Sequence, residues 1–160
     1  MLYMYSLLLL TTMNYLRISG VPVGIPVAVF NPKFKGKWFK QTNGTVIPWK
    51  KNNKMTTHFV LNKNGHEITC PMNGNLRFDL TLTMISKKHK RIRTVFCVNG
   101  LRNKSGQSCQ PFESAVKFQG PVTLSNIVNV IEGDKINISI FGSFFIKRNS
   151  DFNKLILQYV

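Results

Sequence analysis

Acidic residues are scarce in this chain. Six Asp and Glu stand against 22 Lys and Arg in 160 residues, a formal net charge of +16 with a pI near 10.2. Carboxylates this few and this scattered exclude chemistry that needs several of them together, and they leave no set of ligands for a calcium loop. Cysteine is sparse as well: Cys70, Cys97 and Cys109 cannot build a multi-disulfide scaffold, and no Cys-x-x-Cys pair occurs. His58, His66 and His89 lack the spacing of a zinc motif. Helical periodicity is almost absent beyond residue 20, so no glycine-rich phosphate loop leads into a helix. A Cys-His pair such as Cys70 and His58 can be assembled on paper, but nothing in the sequence orients it. The chain reads as a non-enzyme without metal or cofactor.

What is present is enough to fold. With 43% hydrophobic and 11% aromatic residues in 18.3 kDa, the chain has the core of one domain and no room for a second. Residues 1–20 form a hydrophobic leader, rich in leucine over Leu7-Leu8-Leu9-Leu10. It is shorter than the roughly 20 apolar residues of a membrane span and suits the apolar stretch of a secretory signal. No Lys or Arg precedes it, so a cleaved signal, a short anchor and an ordinary segment all stay open. Residues 21–25 read as a Pro-rich linker and 26–160 as the domain. Sequons at Asn43, Asn103 and Asn137 add little in an Asn-rich chain. Cys97 and Cys109 are close enough for a disulfide, which an oxidising compartment permits; three buried thiols are the alternative.

Two-residue alternation is the dominant pattern. Leu76, Phe78, Leu80, Leu82 and Met84 fall on one face of an extended segment, with Asn75, Arg77, Asp79, Thr81 and Thr83 on the other. That is a half-buried strand with its apolar side inward. Lys135 to Ile140 repeats the pattern, as do two short pieces, Val122-Thr123-Leu124 and Val128-Asn129-Val130. Leu155 to Val160 is apolar on both faces, which predicts cover on both sides, by the domain itself or by a partner subunit. Glycines at 44, 65, 74, 100, 106 and 133 adjoin Asn, Ser or Asp and mark turns, and Asn99-Gly100 is a hairpin signal. Short strands, frequent turns and no crossover helices predict an all-β antiparallel sandwich, jelly roll or barrel.

The string from Gly65 to Leu80, Gly-His-Glu-Ile-Thr-Cys-Pro-Met-Asn-Gly-Asn-Leu-Arg-Phe-Asp-Leu, resembles the globular head of complement component 1q, a branch of the tumour-necrosis-factor-like jelly rolls. Thr69-Cys70-Pro71 is intact against that family's pattern, and Gly74 and Phe78 fall in register. Leu76, Ile68 and Leu80 stand where the family has aromatics. Val46-Ile47-Pro48-Trp49, Pro26 to Phe30, Val130 to Ile136 and the tail through Leu155-Ile156-Leu157 resemble its other strands in order, although the glycine of the closing strand is absent. The resemblance spans 26–160, and no collagen repeat precedes it. It implies a ten-stranded jelly roll assembled as a tight homotrimer. Leu76, Phe78, Leu80, Leu155, Leu157 and Tyr159 are then candidates for the trimer interface or for the core, and the outward face of one sheet should be apolar.

The basic cluster is the clearest functional signal. Lys87, Lys88, Lys90, Arg91 and Arg93, with His89 among them, create a strong local positive potential suited to anionic glycans or acidic receptor surfaces. A solvated, solubilising turn is the plain alternative. Lys33, Lys35, Lys37, Lys40, Lys50, Lys51 and Lys54 interleave with Phe34, Trp38, Phe39 and Trp49, a pattern that fits either base stacking on single-stranded nucleic acid or a strand with one wet face. The reading that follows is a secreted or surface-displayed trimeric recognition module that gains avidity from three equivalent faces. A viral single-jelly-roll structural protein, in a capsid, spike or fibre head of a virion, is the alternative, with phosphate contacts to nucleic acid.

Overall fold

The computed structural model describes residues 25–34, 38–40 (backbone alone), 44–54, 58–86, 92–102, 106–142, 145–147 and 151–160. The leader and residues 21–24 lie outside this set. Thirteen strands occur among the described residues: β1 (Val27–Pro32), β2 (Trp38–Lys40), β3 (Thr45–Val46), β4 (Trp49–Lys51), β5 (Val60–Leu61), β6 (Ile68–Thr69), β7 (Gly74–Ile85), β8 (Arg93–Asn99), β9 (Gln107–Glu113), β10 (Gln119–Val130), β11 (Lys135–Gly142), β12 (Phe145–Lys147) and β13 (Lys154–Tyr159). They form two antiparallel sheets packed as a sandwich. The larger has the order β2-β12-β7-β13-β1-β4, with β10 pairing β7. The smaller runs β5-β6-β11-β8-β9, with β3 pairing β11.

The alternation in β7 sets the core. Leu76, Phe78, Leu80, Leu82 and Met84 are all buried, beside Val122 and Leu124 of β10 and in one core with Ile136, Ile138 and Ile140 of the other sheet. Val122 to Leu124 and Val128 to Val130, read above as separate pieces, belong to one strand: β10 pairs β7 without interruption from Gln119↔Ile85 to Val130↔Gly74. Val46 to Trp49 divides the other way. Val46 pairs Ser139 in the smaller sheet, while Trp49 pairs Pro32 in the larger one, so the chain changes sheets at Ile47-Pro48. Buried Ile47 donates its N–H to Ile138 O (2.9 Å) at the crossing.

The glycine turns fall where the sequence puts them. Gly100, at φ 85°, ends the β8 segment, and a Cβ there would lie 2.1 Å from Lys135 O. Gly65, at φ 76°, sits at the tip between β5 and β6; a Cβ would lie 2.4 Å from Trp49 O, and Gly65 O accepts from Trp49 N (2.7 Å). Both positions need a residue free of side chain and tolerant of positive φ.

One side chain completes the larger sheet. Along its edge opposite β10, β7 pairs β13 over Leu76 to Thr81 and β12 at Met84 and Ile85. Buried Asn153 fills the gap between them: its Oδ1 accepts from Thr83 N (2.6 Å), its Nδ2 donates to Lys147 O, and its backbone O accepts from Asn31 Nδ2 (3.3 Å). Asn153→Ala removes the partners of two backbone groups and is expected to cost about 1–3 kcal/mol. Denaturant unfolding checks this, and a loss below about 0.5 kcal/mol, the ordinary scale of a surface change, would contradict it.

Candidate functional site

The six interface-or-core candidates, Leu76, Phe78, Leu80, Leu155, Leu157 and Tyr159, are all at most 5% exposed and lie in the core between the sheets. The surface that the larger sheet offers to a partner is therefore the opposite face of the same strands. Its registers are fixed by the ladders. One row runs Val29–Ile156–Asp79–Ser125 across β1, β13, β7 and β10. The next runs Val27–Gln158–Arg77–Ile127. On the far side of the first row Lys154 pairs Thr81, which pairs Thr123.

The expected apolar outward face is not what these residues make. Thr, Ser, Asn and Gln surround a small apolar island of Val27, Ile156 and buried Val29, and Ile127, 57% exposed, is set apart from it on β10. Within the protomer the C-terminal strand is covered on one face: Ile156 is half-buried and Val160 is 63% exposed. Charge along β7 and β10 is nearly cancelled, while exposed Lys154 of β13 and Lys50 of β4 stand on the same face. The Arg77 guanidinium pairs with Asp79 (2.9 Å), whose other partner is the Ser125 hydroxyl, donating over 2.6 Å. Thr81 and Thr123 hydroxyls lie 3.1 Å apart. The whole of β10 carries no ionisable residue.

The basic candidates divide. Lys87, Lys88, Lys90 and Arg91 lie outside the described residues. Arg93 is the first residue of β8, and its Nε meets Glu113 Oε1 at 3.2 Å in an exposed pair. Among the aromatics set against nucleic acid, Phe34 and Trp49 are 4% and 1% exposed and belong to the core. They offer no face to a base, so the stacking reading does not hold for them. Trp38 and Phe39 lie in β2, whose side chains are outside the described set.

Cys97 and Cys109 are bonded, as direct partners in the β8–β9 ladder. Cys70 is free and buried. Burial, with the Asp134 carboxylate adding to it, pushes its thiol up to about 12, against which a Tyr159 hydrogen bond works weakly. A thiol held protonated in this way is a packing group and no nucleophile. Burial also carries the Tyr159 hydroxyl up to about 12, although it donates to Met72 O (2.7 Å).

A polar knot beside these two escaped the sequence reading. The Gly133-Asp134 pair was legible as a turn, but the Asp134 side chain is 2% exposed. Its Oδ1 accepts from Arg102 Nε (2.5 Å) and its Oδ2 from Ile131 N (3.0 Å), while Arg102 Nη2 donates to Glu132 O. Cys70 N donates to Asp134 O and Cys70 O accepts from Gly133 N, both at 2.9 Å. Burial opposes the charge on Asp134, yet the Arg102 guanidinium and the Ile131 N–H outweigh it and hold the carboxyl below its ordinary value. An isolated Asp between apolar segments, 32 residues from its only cation, gives no local signal of such a pair.

Comparison with known proteins places the fold. No family model matches the chain, and no curated protein is similar to it in sequence. Solved structures are similar in shape. An Eiger TNF structure from S. frugiperda superposes with a TM-score of 0.63 at 10% identity, covering 85% of this chain and 92% of that one. A crystal structure of murine APRIL gives 0.61 at 9% identity, covering 86% and 100%. The chain is thus an all-β sandwich with the jelly-roll fold of tumour-necrosis-factor proteins, and at these identities the likeness is one of fold.

The Asp134 knot has a pH signature. A carboxyl whose folded value is depressed contributes its stability above the unfolded value, near 3.8, and loses it as the pH falls through the lower folded value. Asp134→Asn is expected to lower the melting temperature at pH 6 and to leave a smaller further loss between pH 5 and 2 than the parent shows. Thermal melts across that range check it; parallel acid limbs in the two proteins would contradict the assignment.

Proposed function

We propose that the chain is a non-enzymatic recognition module, secreted or displayed on a surface, that assembles as a homotrimer through the outward face of its larger sheet. The observation that carries this reading is the near-neutrality of the β7–β10 part of that face. Copies of a chain with sixteen net positive charges repel one another, and the repulsion is least where charge is cancelled. The Arg77–Asp79 pair, the uncharged β10 and exposed Ile127 beside them supply such a place. The resemblance to complement component 1q heads supports the trimer as the order of assembly. A disulfide between Cys97 and Cys109 supports an oxidising, extracellular setting.

Recognition then falls to surfaces away from this face. Three copies would present their basic loops, Lys87 to Arg93 among them, to one anionic glycan or acidic receptor, and the summed contacts would give avidity. The tumour-necrosis-factor fold supports a binding role over a catalytic one.

The test is a charge placed on each of two faces. Ile127→Lys puts a cation on the assembly face beside the Arg77–Asp79 pair, whereas Val60→Lys puts the same charge on exposed β5 of the smaller sheet. Light-scattering mass is expected to fall from three chains to one for Ile127→Lys and to stay at three for Val60→Lys, with both variants folded by circular dichroism. A wild-type monomer, or an Ile127→Lys protein of unchanged mass, would overturn the reading.

A further inference from the structure

Beyond the loop at Lys87 to Arg93, a second concentration of charge lies on the free edge of the larger sheet. The first acidic residue in the chain is Glu67, so everything before it contributes cations alone. The fold gathers part of that segment at one place. β4 ends the strand order, and among the described residues no strand pairs its outer side. Lys50 stands opposite Asn31 in the β1–β4 ladder, and Lys33 continues the same strand, its N–H donating to Pro48 O (2.7 Å). Lys33 and Lys50 are therefore diagonal neighbours on one face, at a spacing of about 7–8 Å. Both are exposed.

A third lysine is brought to the edge by the hairpin tip between β5 and β6. Gly65 O accepts from Trp49 N, which fastens the tip against β4, and exposed Lys63 sits in that tip beside His66. Lys54 follows in the turn after β4, its N–H bonded to Asn52 Oδ1 (3.2 Å). No carboxylate neutralises this group. The described arginines, Arg77, Arg93 and Arg102, each pair with an acid, and among the described residues no acid pairs with Lys33, Lys50 or Lys63. Glu67, the acid next in sequence, is held by Asn62 Nδ2 (3.1 Å).

We infer that the β4 edge and the β5–β6 tip form a docking surface for a sulfated polysaccharide. Lysines without partners along an edge match a linear polyanion, whose charges recur along a flexible chain and need no deep pocket. Single-stranded nucleic acid fits less well, because it relies on exposed aromatics for stacking, and Phe34, Phe59 and Trp49 beside this edge are buried in the core. Lys33 and Lys50 share the outward face of the larger sheet, and β1 and β13 separate them from the neutral β7–β10 part that self-association would use. The inference rests on the extracellular part of the proposed function and not on the trimer.

Heparin binding by the full chain tests it, with the triple variant Lys33→Gln/Lys50→Gln/Lys63→Gln set against Lys117→Gln/Lys135→Gln/Lys147→Gln, three exposed lysines elsewhere whose loss removes the same charge. The edge variant is expected to bind heparin at least about tenfold more weakly and to lower the slope of log affinity against log salt by about three, one for each lost ionic contact. The control variant should change affinity less than about threefold on the same scale. Equal losses in both variants, or a larger loss in the control variant, would show that net charge alone decides and would overturn the site. Tighter binding of a single-stranded oligonucleotide than of heparin would overturn the choice of ligand. Mass measured on the same samples separates this outcome from the assembly question, since a monomer that still binds heparin through the edge fails only the trimer.

Discussion

Strand β7 is the element on which the rest of the structure depends. Twelve residues long, it pairs with β10 along its whole length on one side and with β13 and β12 on the other. Its period of two divides it into a fully apolar face and a polar face, and the ladders transmit that division to every neighbour. A slip of one residue would turn Leu76, Phe78, Leu80, Leu82 and Met84 to the outside, so the register is strongly specified. The same ladders line up Val29, Ile156, Asp79 and Ser125 on the outward side. The core and the assembly face are thus the two sides of one pairing scheme.

Charge follows a second division laid over the first. Three of the six acids are committed to arginine, at Asp79, Glu113 and Asp134. Of these, only Asp134 is buried, and its pair with Arg102 closes the turn that Cys70 holds by both backbone groups. Lysine takes no part in these pairs. The result is a sandwich neutral along β7 and β10 and cationic along β4. Under the proposed assembly, separation of this kind keeps most of the positive charge away from the contact between copies and leaves it free for an anion.

Much of the fold was legible, for reasons that can be named. Alternation placed β7 and β11, and glycine beside Asn, Ser or Asp placed the turns, because both signals are local. The pairing of Cys97 with Cys109 was legible as one of two alternatives, since a hairpin brings them opposite. What was not legible is non-local. Nothing in Val46-Ile47-Pro48-Trp49 announces a change of sheet, which depends on β11 taking one half and β1 the other. Asn153 gives no sign that its side chain stands in for a strand. Leu76, Phe78, Leu80, Leu155, Leu157 and Tyr159 could be read as interface or as core, and only the packing of the second sheet against them decides for the core. The nearby lysines at 33, 50 and 63 are spread along the sequence, and only the β4 ladder and the Gly65 contact bring them together.

The central claim is that self-association uses the neutral face and is not held by charge. The direct measurement is the solution mass of the wild-type protein by light scattering as salt is raised from physiological strength to about 1 M, where screening reaches within about 3 Å. The account predicts a mass of three chains that persists or strengthens, since salt weakens the repulsion between basic protomers while leaving the apolar island intact. A monomer at every salt concentration, or an assembly that dissociates as salt rises, would contradict it.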